Sequence, residues 1–178
     1  MALFRVHAID LTETLKQPFF DELQKLFMQV AGMPAANPYD DVSIYWWTSR
    51  PVHVDAHEPL VWILASQSES LISKVYKQQS NIIGAGLTAV RQSQGNISEI
   101  YLDAQFNNSN KNRAVAAFHE LMHNKSQKGN EMHDAALAVG KDALTGAGPF
   151  SFGLNSADRH FMAPLLKEEV RQWMPPFT

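Results

Sequence analysis

The chain of 178 residues contains no cysteine. Disulfide bonds, thiolate zinc sites, iron–sulfur clusters and a cysteine nucleophile are therefore excluded. Any metal ion must be held by His, Asp or Glu side chains, and seven histidines are available for that role.

Long apolar runs and an excess of positive charge are also missing. The longest unbroken apolar run, residues 60–65, is far too short to cross a bilayer. The formal net charge is -3, without the basic excess that is typical of a nucleic-acid binder. The first residues lack the charged start and apolar stretch of a signal peptide. We therefore expect no membrane or nucleic-acid partner, and a protein that is cytoplasmic or exported as part of a larger effector.

Hydrophobic periodicity predicts a single α+β domain over residues 1–178. Asp10 or Thr12 is expected to cap the first helix, and a turn at Gly95 to join two strands. Residues 129–154 show little periodicity and are predicted to form a long ordered loop, and a loop of this length in a compact domain usually has a function or is disordered. The fold predicted is one mixed sheet with an N-terminal helix, a buried helix over residues 111–127, on which the candidate metal ligands described next lie, and a C-terminal helix. The predicted strands are 5–9, 42–49, 60–65, 84–91 and 97–105, and the predicted helices are 18–31, 66–78, 111–127 and, broken at Pro164, 156–173.

The most informative stretch is His119-Glu120-Leu121-Met122-His123. Positions i and i+4 of a helix lie on the same face, so both imidazoles can reach one ion about 2.0–2.1 Å from each nitrogen. Glu120 is offset by about 100° around the helix, which removes it from the row of ligands. It is placed instead to take a proton from a water activated by the metal, as in zinc peptidases.

The rest of this helix is apolar over most of its circumference, which predicts that it is buried. Two histidines and a glutamate on a buried helix carry polar groups that must find partners. A metal ion with its water would satisfy all three together. The alternative is a helix with two satisfied core histidines and a peripheral glutamate.

The segment resembles the zincins, metallopeptidases built on a His-Glu-x-x-His helix. The resemblance extends upstream to Gly84-Ala-Gly-Leu-Thr-Ala-Val, the turn at Gly95 and Ile100-Tyr-Leu-Asp103. These stretches follow the zincin order of edge strand, inner strand and active-site helix. The resemblance covers about residues 1–134 and implies a zincin-like fold.

The resemblance also implies a zinc-dependent metallopeptidase that binds Zn²⁺ and acts on a protein or peptide substrate. Glu120 would be the catalytic general base, and His119 and His123 would be metal ligands. In zincins the edge strand aligns an extended peptide beside the zinc. By resemblance, that strand would be residues 86–91.

The third ligand separates zincin subgroups. Metzincins use His-Glu-x-x-His-x-x-Gly-x-x-His, whereas here Gly129 and His133 follow His123 at longer spacings. The stretch from His123 to His133 is longer than the corresponding metzincin stretch by about one helical turn. A longer helix that ends at Gly129 could still return His133 to the metal, so His133 is the predicted third ligand. Asp134 and Glu131 are alternatives.

Later residues offer further candidates. A glutamate from a later helix would be Glu168 or Glu169, although their charge run is also typical of a solvated face. Met162 could lie under the metal as in metzincins, or pack in the core as methionines ordinarily do. Tyr101 and His160 are candidates to stabilise an oxyanion, and His160 could also reach the metal or be a capping or surface residue. The remaining histidines have no ligand spacing and are expected to be ordinary residues: His7, His53 and His57.

Two other functions fit the same residues. A non-catalytic domain stabilised by zinc, or by no metal, would have ligands closed to water and would not depend on Glu120. A zinc hydrolase or toxin-effector module acting on a non-peptide amide would use the same metal chemistry as a peptidase. The sequence does not separate these functions.

Overall fold

A computed structural model describes residues 2–31, 39–51, 53–77, 84–91, 93–129 and 162–174. These residues form a mixed α/β structure with one five-stranded sheet, as predicted. No helix in the described part of the chain is long and apolar enough to span a membrane. The strands are β1 (Leu3–Asp10), β2 (Asp41–Trp47), β3 (Leu60–Leu64), β4 (Gly86–Ala89) and β5 (Ile97–Tyr101), and the α-helices are α1 (Gln17–Ala31), α2 (Leu71–Tyr76) and α3 (Asn110–Ser126).

The sheet has the strand order β2-β1-β3-β5-β4. All neighbouring strands are parallel except β4, which is antiparallel to β5 and ends the sheet. The predicted turn between β4 and β5 is confirmed, because Gly95 has a φ of 96°, a conformation that favours glycine. A side chain at this position would also meet the backbone of Trp173 at 2.7 Å.

Successive side chains of a strand point to opposite faces of the sheet, so the buried core is divided between these two faces. On β1, Val6 and Ala8 pack with α1 and α3, which we call the α3 face. Ile9 packs instead with residues of α2 on the opposite face, which we call the α2 face. The two buried clusters therefore lie on either side of the sheet, and α3 covers one side only.

The position of α3 is fixed at both ends. Ser109 caps its first turn by accepting a hydrogen bond from the Asn112 N–H at 3.1 Å. Near its end, the Lys125 ammonium group is fully buried and donates to the backbone carbonyls of His57 and Glu168. A buried ammonium needs such acceptors, so Lys125 ties the end of α3 to two other segments.

The predicted N-terminal cap of α1 is wrong. Asp10 accepts hydrogen bonds from the N–H groups of Thr12 and Leu15, at 3.2 and 2.8 Å. It therefore shapes the loop that precedes α1, and neither Asp10 nor Thr12 caps the helix, which begins at Gln17.

The predicted C-terminal helix is not continued as far as residue 173. In the described part, a 3-10 helix at Ala163–Lys167 is followed by non-helical chain. The reason is pairing with the sheet: the Asn96 N–H donates to the Arg171 carbonyl, and the Trp173 N–H donates to the Asn96 carbonyl at 2.9 Å. The predicted loop lies outside the described residues from residue 130 onwards.

Candidate active site

Helix α3 brings His119 and His123 together, and both side chains are buried. Their Nε2 atoms are 2.9 Å apart, and their rings meet edge to face with centroids at 4.6 Å. Two Zn–N bonds together span about 4.1 Å, so a single zinc ion can contact nitrogens at this separation. The i, i+4 spacing therefore produces the convergence that the sequence predicts.

The protonation of His123 suits a metal ligand. Its Nδ1 is 2.9 Å from the Lys128 carbonyl oxygen. Because a carbonyl only accepts, Nδ1 carries the proton, and the neutral ring presents its Nε2 lone pair towards His119. Gln127 makes this contact possible, since its left-handed backbone (φ 54°) ends α3 just before Lys128. Metal-bound histidines commonly donate their second ring N–H in this way, so the surroundings of His123 fit a zinc ligand.

Glu120 lies beside His119 on α3 and faces the edge strand β4. Its side chain is buried, and its Oε2 atom accepts a hydrogen bond from the Thr88 hydroxyl at 2.8 Å. Burial raises the pKa of Glu120 to about 8, although the hydrogen bond from Thr88 opposes this shift, and the charge of Glu99 adds to it. A raised pKa makes the carboxylate a stronger base than an exposed glutamate.

Strand β4 is shaped to receive Glu120. A Cβ atom on Gly86 would lie 2.7 Å from Cγ of Glu120 and 2.7 Å from the carbonyl oxygen of Glu99. Gly86 and Thr88 are two residues apart, so they face the same side of the strand. One position leaves room for the Glu120 side chain, and the other binds its carboxylate.

A network of polar side chains lies beneath α3. The Ser98 hydroxyl donates to the backbone carbonyl of Glu120 at 3.2 Å and accepts from the Asn124 amide at 3.0 Å. Asn124 and Gln172 exchange two amide hydrogen bonds at 3.1 and 2.8 Å. Sequence reasoning suggested that Asn124 could bond locally near this helix, but it missed Ser98, Gln172 and Thr88. The only available signal for Thr88 was its position two residues after Gly86 in the predicted edge strand.

The predicted third ligand, His133, lies outside the described residues, as do its alternatives Asp134 and Glu131 and the candidate His160. Within the ranges that the structure describes, no group of three His, Asp or Glu side chains is placed to hold a metal ion. His133 therefore stays a prediction.

The structure does not bring Glu168 or Glu169 to the histidine pair. The Glu168 carbonyl accepts from Lys125, and a Glu169 carboxylate oxygen lies 3.7 Å from the Nε2 atom of His57. Both glutamates are exposed, as expected for a solvated charge run.

Two other candidates have defined surroundings. Tyr101 lies on the α2 face, where its hydroxyl donates to Glu99 at 2.5 Å and burial raises its pKa. It is therefore across the sheet from α3 and is not placed to stabilise an oxyanion there. Met162 is fully buried in the core of the α3 face.

The remaining histidines bind other groups. His7 is buried, its Nδ1 accepts from the Trp47 indole at 2.9 Å, and its Nε2 is 2.7 Å from a Glu58 carboxylate oxygen. An indole only donates, so the proton of neutral His7 is on Nε2. His53 pairs with Asp55 at 2.7 Å. His57 contacts the Lys167 carbonyl at 3.1 Å.

The protein also has a cavity of about 590 Å³, away from this chemistry. Its lining comes mainly from residues 53–56 and 169–172 and does not include His119, Glu120 or His123. Polar and apolar side chains mix in this lining without a cluster of metal-ligating groups. Among the residues that the structure describes, the chemically distinctive cluster is therefore on α3 and β4.

No protein-family model, curated protein or solved structure matches this chain.

Proposed function

We propose that the protein is a zinc-dependent metallopeptidase of the zincin type. His119 and His123 would hold the metal, and Glu120 would be the general base. The observation that carries the proposal is the convergence of the two buried Nε2 atoms at 2.9 Å beside a buried carboxylate. His133 is the third ligand that the sequence predicts.

The residues of α3 would divide the chemistry between them. Zinc would supply a Lewis acid that polarises the scissile carbonyl and makes water easier to deprotonate. Thr88 occupies Oε2 of Glu120, so Oε1 is the oxygen that would take the proton from water. The same carboxyl group would later give this proton to the leaving nitrogen. A cation nearby favours the charged carboxylate, which counters the effect of burial on the pKa of Glu120.

The edge strand supports a peptide substrate. Within the described part of the sheet, β4 has a strand neighbour on one side only. An extended peptide can add to such an edge through main-chain hydrogen bonds. The position of β4 beside Glu120 therefore favours a peptide over the non-peptide amide of the alternative hypothesis.

Elemental analysis of the purified protein tests the metal site. We expect about one zinc per chain in the wild type, loss of zinc in His119→Ala and weaker retention in His133→Ala. His53→Ala is the matched control, because this histidine is exposed and pairs with Asp55. A wild type that binds no zinc, even after zinc is added, would overturn the proposal. Full zinc retention in His133→Ala would move the third ligand to Asp134 or another carboxylate.

Activity separates a peptidase from the alternatives. Zinc-loaded wild type should hydrolyse members of a peptide library, and a chelator should abolish this turnover. Zinc that is bound tightly without hydrolysis of any peptide would favour a zinc-stabilised domain or an amide hydrolase instead.

A further inference from the structure

We propose that Thr88 is the positioning residue for Glu120, holding its carboxylate from β4 in the orientation in which it accepts a proton. This inference rests on the proposed function, in which Glu120 is the general base. It adds a residue that the His-Glu-x-x-His pattern does not contain.

The contact between the two residues is close and sheltered. The Thr88 hydroxyl is 2.8 Å from Oε2 of Glu120, a residue that is only 5% exposed. In the part of the chain that the structure describes, Thr88 is the one residue that donates a hydrogen bond to this carboxylate. A glutamate has three rotatable side-chain bonds, so a single anchored oxygen removes much of its rotational freedom.

The surrounding network leaves the Thr88 proton available for the carboxylate. The hydroxyl also lies 2.9 Å from the Glu120 backbone carbonyl and 3.0 Å from Ser98, but it can donate only one proton. Ser98 supplies its own proton to that carbonyl, and the Asn124 amide donates to Ser98 in turn. A carboxylate oxygen is a stronger acceptor than a backbone carbonyl, so the Thr88 hydroxyl donates to Oε2 whether or not Ser98 is present.

Gly86 provides the space that the Glu120 side chain occupies. Because a Cβ there would approach Cγ of Glu120 to 2.7 Å, glycine leaves the space through which the side chain passes. Under the proposed function, β4 is also the strand beside which a peptide would bind. One rigid element would then orient both the substrate and the base, which is the arrangement that precise catalysis needs.

The test compares Thr88→Val with Thr88→Ser, and uses Ser98→Ala as the matched control. Valine keeps the shape of threonine and removes the hydroxyl, whereas serine keeps the hydroxyl. Ser98→Ala removes a hydroxyl from the same network without touching the carboxylate. Each protein is assayed for zinc content, for kcat and KM on one peptide, and for the ¹³C chemical shift of the Glu120 carboxyl carbon. The shift is measured without metal at fixed pH, and Glu120→Gln assigns the signal.

In Thr88→Val we expect kcat to fall by about 10- to 100-fold, with KM and zinc content unchanged. The carboxyl signal should move in this variant and return in Thr88→Ser, together with kcat. Ser98→Ala should leave the carboxyl signal near its wild-type position.

Two outcomes would overturn the positioning role while leaving the proposed function intact. One is an unmoved carboxyl signal in Thr88→Val when the wild type binds zinc and is active. The other is a loss of kcat in Ser98→Ala as large as that in Thr88→Val. A wild type without zinc or activity would overturn the proposed function, and the role of Thr88 with it.

Discussion

Glu99 and Glu120 are both buried, and they lie on opposite faces of the sheet. The carboxylate of Glu99 accepts hydrogen bonds from four groups. These donors are the Ser70 hydroxyl, the N–H groups of Leu71 and Ile72, and the Tyr101 hydroxyl. Glu120 has Thr88 as its one donor among the described residues.

Under the proposed function, this difference separates a structural carboxylate from one that takes part in catalysis. Glu99 is fully engaged, because it joins β5 to the first turn of α2, where N–H groups need acceptors. Glu120 has a raised pKa and keeps one oxygen that Thr88 does not bind. The residues that the structure describes donate a single hydrogen bond to this buried carboxyl group, and carboxyl groups with raised pKa values are concentrated at functional sites.

The histidines show the same contrast. Both ring nitrogens of His7 are engaged, by Trp47 and by Glu58. On α3, the Nε2 atoms of His119 and His123 instead face each other. His7 is therefore bound by residues of other segments, whereas His119 and His123 contact each other at a separation that one zinc ion could bridge under the proposed function.

Substituting Glu120 should have the largest effect on activity. We expect Glu120→Gln to lower kcat by about 10²- to 10⁴-fold, because the amide cannot accept the proton from water. Zinc content should be retained, since Glu120 is not a predicted ligand. Steady-state kinetics and elemental analysis of the same preparation measure both quantities. A zinc-loaded Gln variant with full activity would refute the proposed mechanism.

Substituting Glu99 should lower the stability of the fold. We expect Glu99→Gln to lower the free energy of unfolding by about 2–3 kcal/mol, because it loses charge-assisted hydrogen bonds and turns amide hydrogens towards donors. Urea unfolding measures the change, with the exposed Glu69→Gln as control. Zinc content should not change in either variant. An unaltered unfolding midpoint in Glu99→Gln would remove the distinction between the two glutamates.

Gly86→Ala tests how closely β4 fits Glu120. The added methyl group should cost about 1–3 kcal/mol of stability, since it would meet Glu120 Cγ and the Glu99 carbonyl at 2.7 Å. Part of this cost should disappear in a Glu120→Ala background, where Cγ is gone. Urea unfolding of the four proteins measures this coupling. Equal costs in the two backgrounds would show that only the backbone contact matters.

Local patterns in the sequence were enough to predict much of the fold. The continuous apolar run at 60–65 became the buried strand β3, and the i, i+4 histidines met because both lie on one helix. Thr88 and Asn124 could not be predicted in the same way, since strand pairing and helix packing bring them to the site. The helix predicted from periodicity was wrong after Lys167, because the chain there forms backbone hydrogen bonds with Asn96.

The smallest effect we predict is the pH dependence that His7 gives to stability. Burial lowers the pKa of His7 below its ordinary value of 6.5, despite the nearby Glu58. The unfolded chain then binds a proton more readily than the folded chain, so stability falls as the pH drops through 6.5 towards the folded pKa. Protonation of Nδ1 would also remove the acceptor for the Trp47 indole. Urea unfolding at about pH 7.5 and about pH 5.5 should give a lower midpoint in acid, and this decrease should be smaller in His7→Gln. An equal decrease in both proteins would assign the pH dependence to other groups and leave His7 as a packing residue.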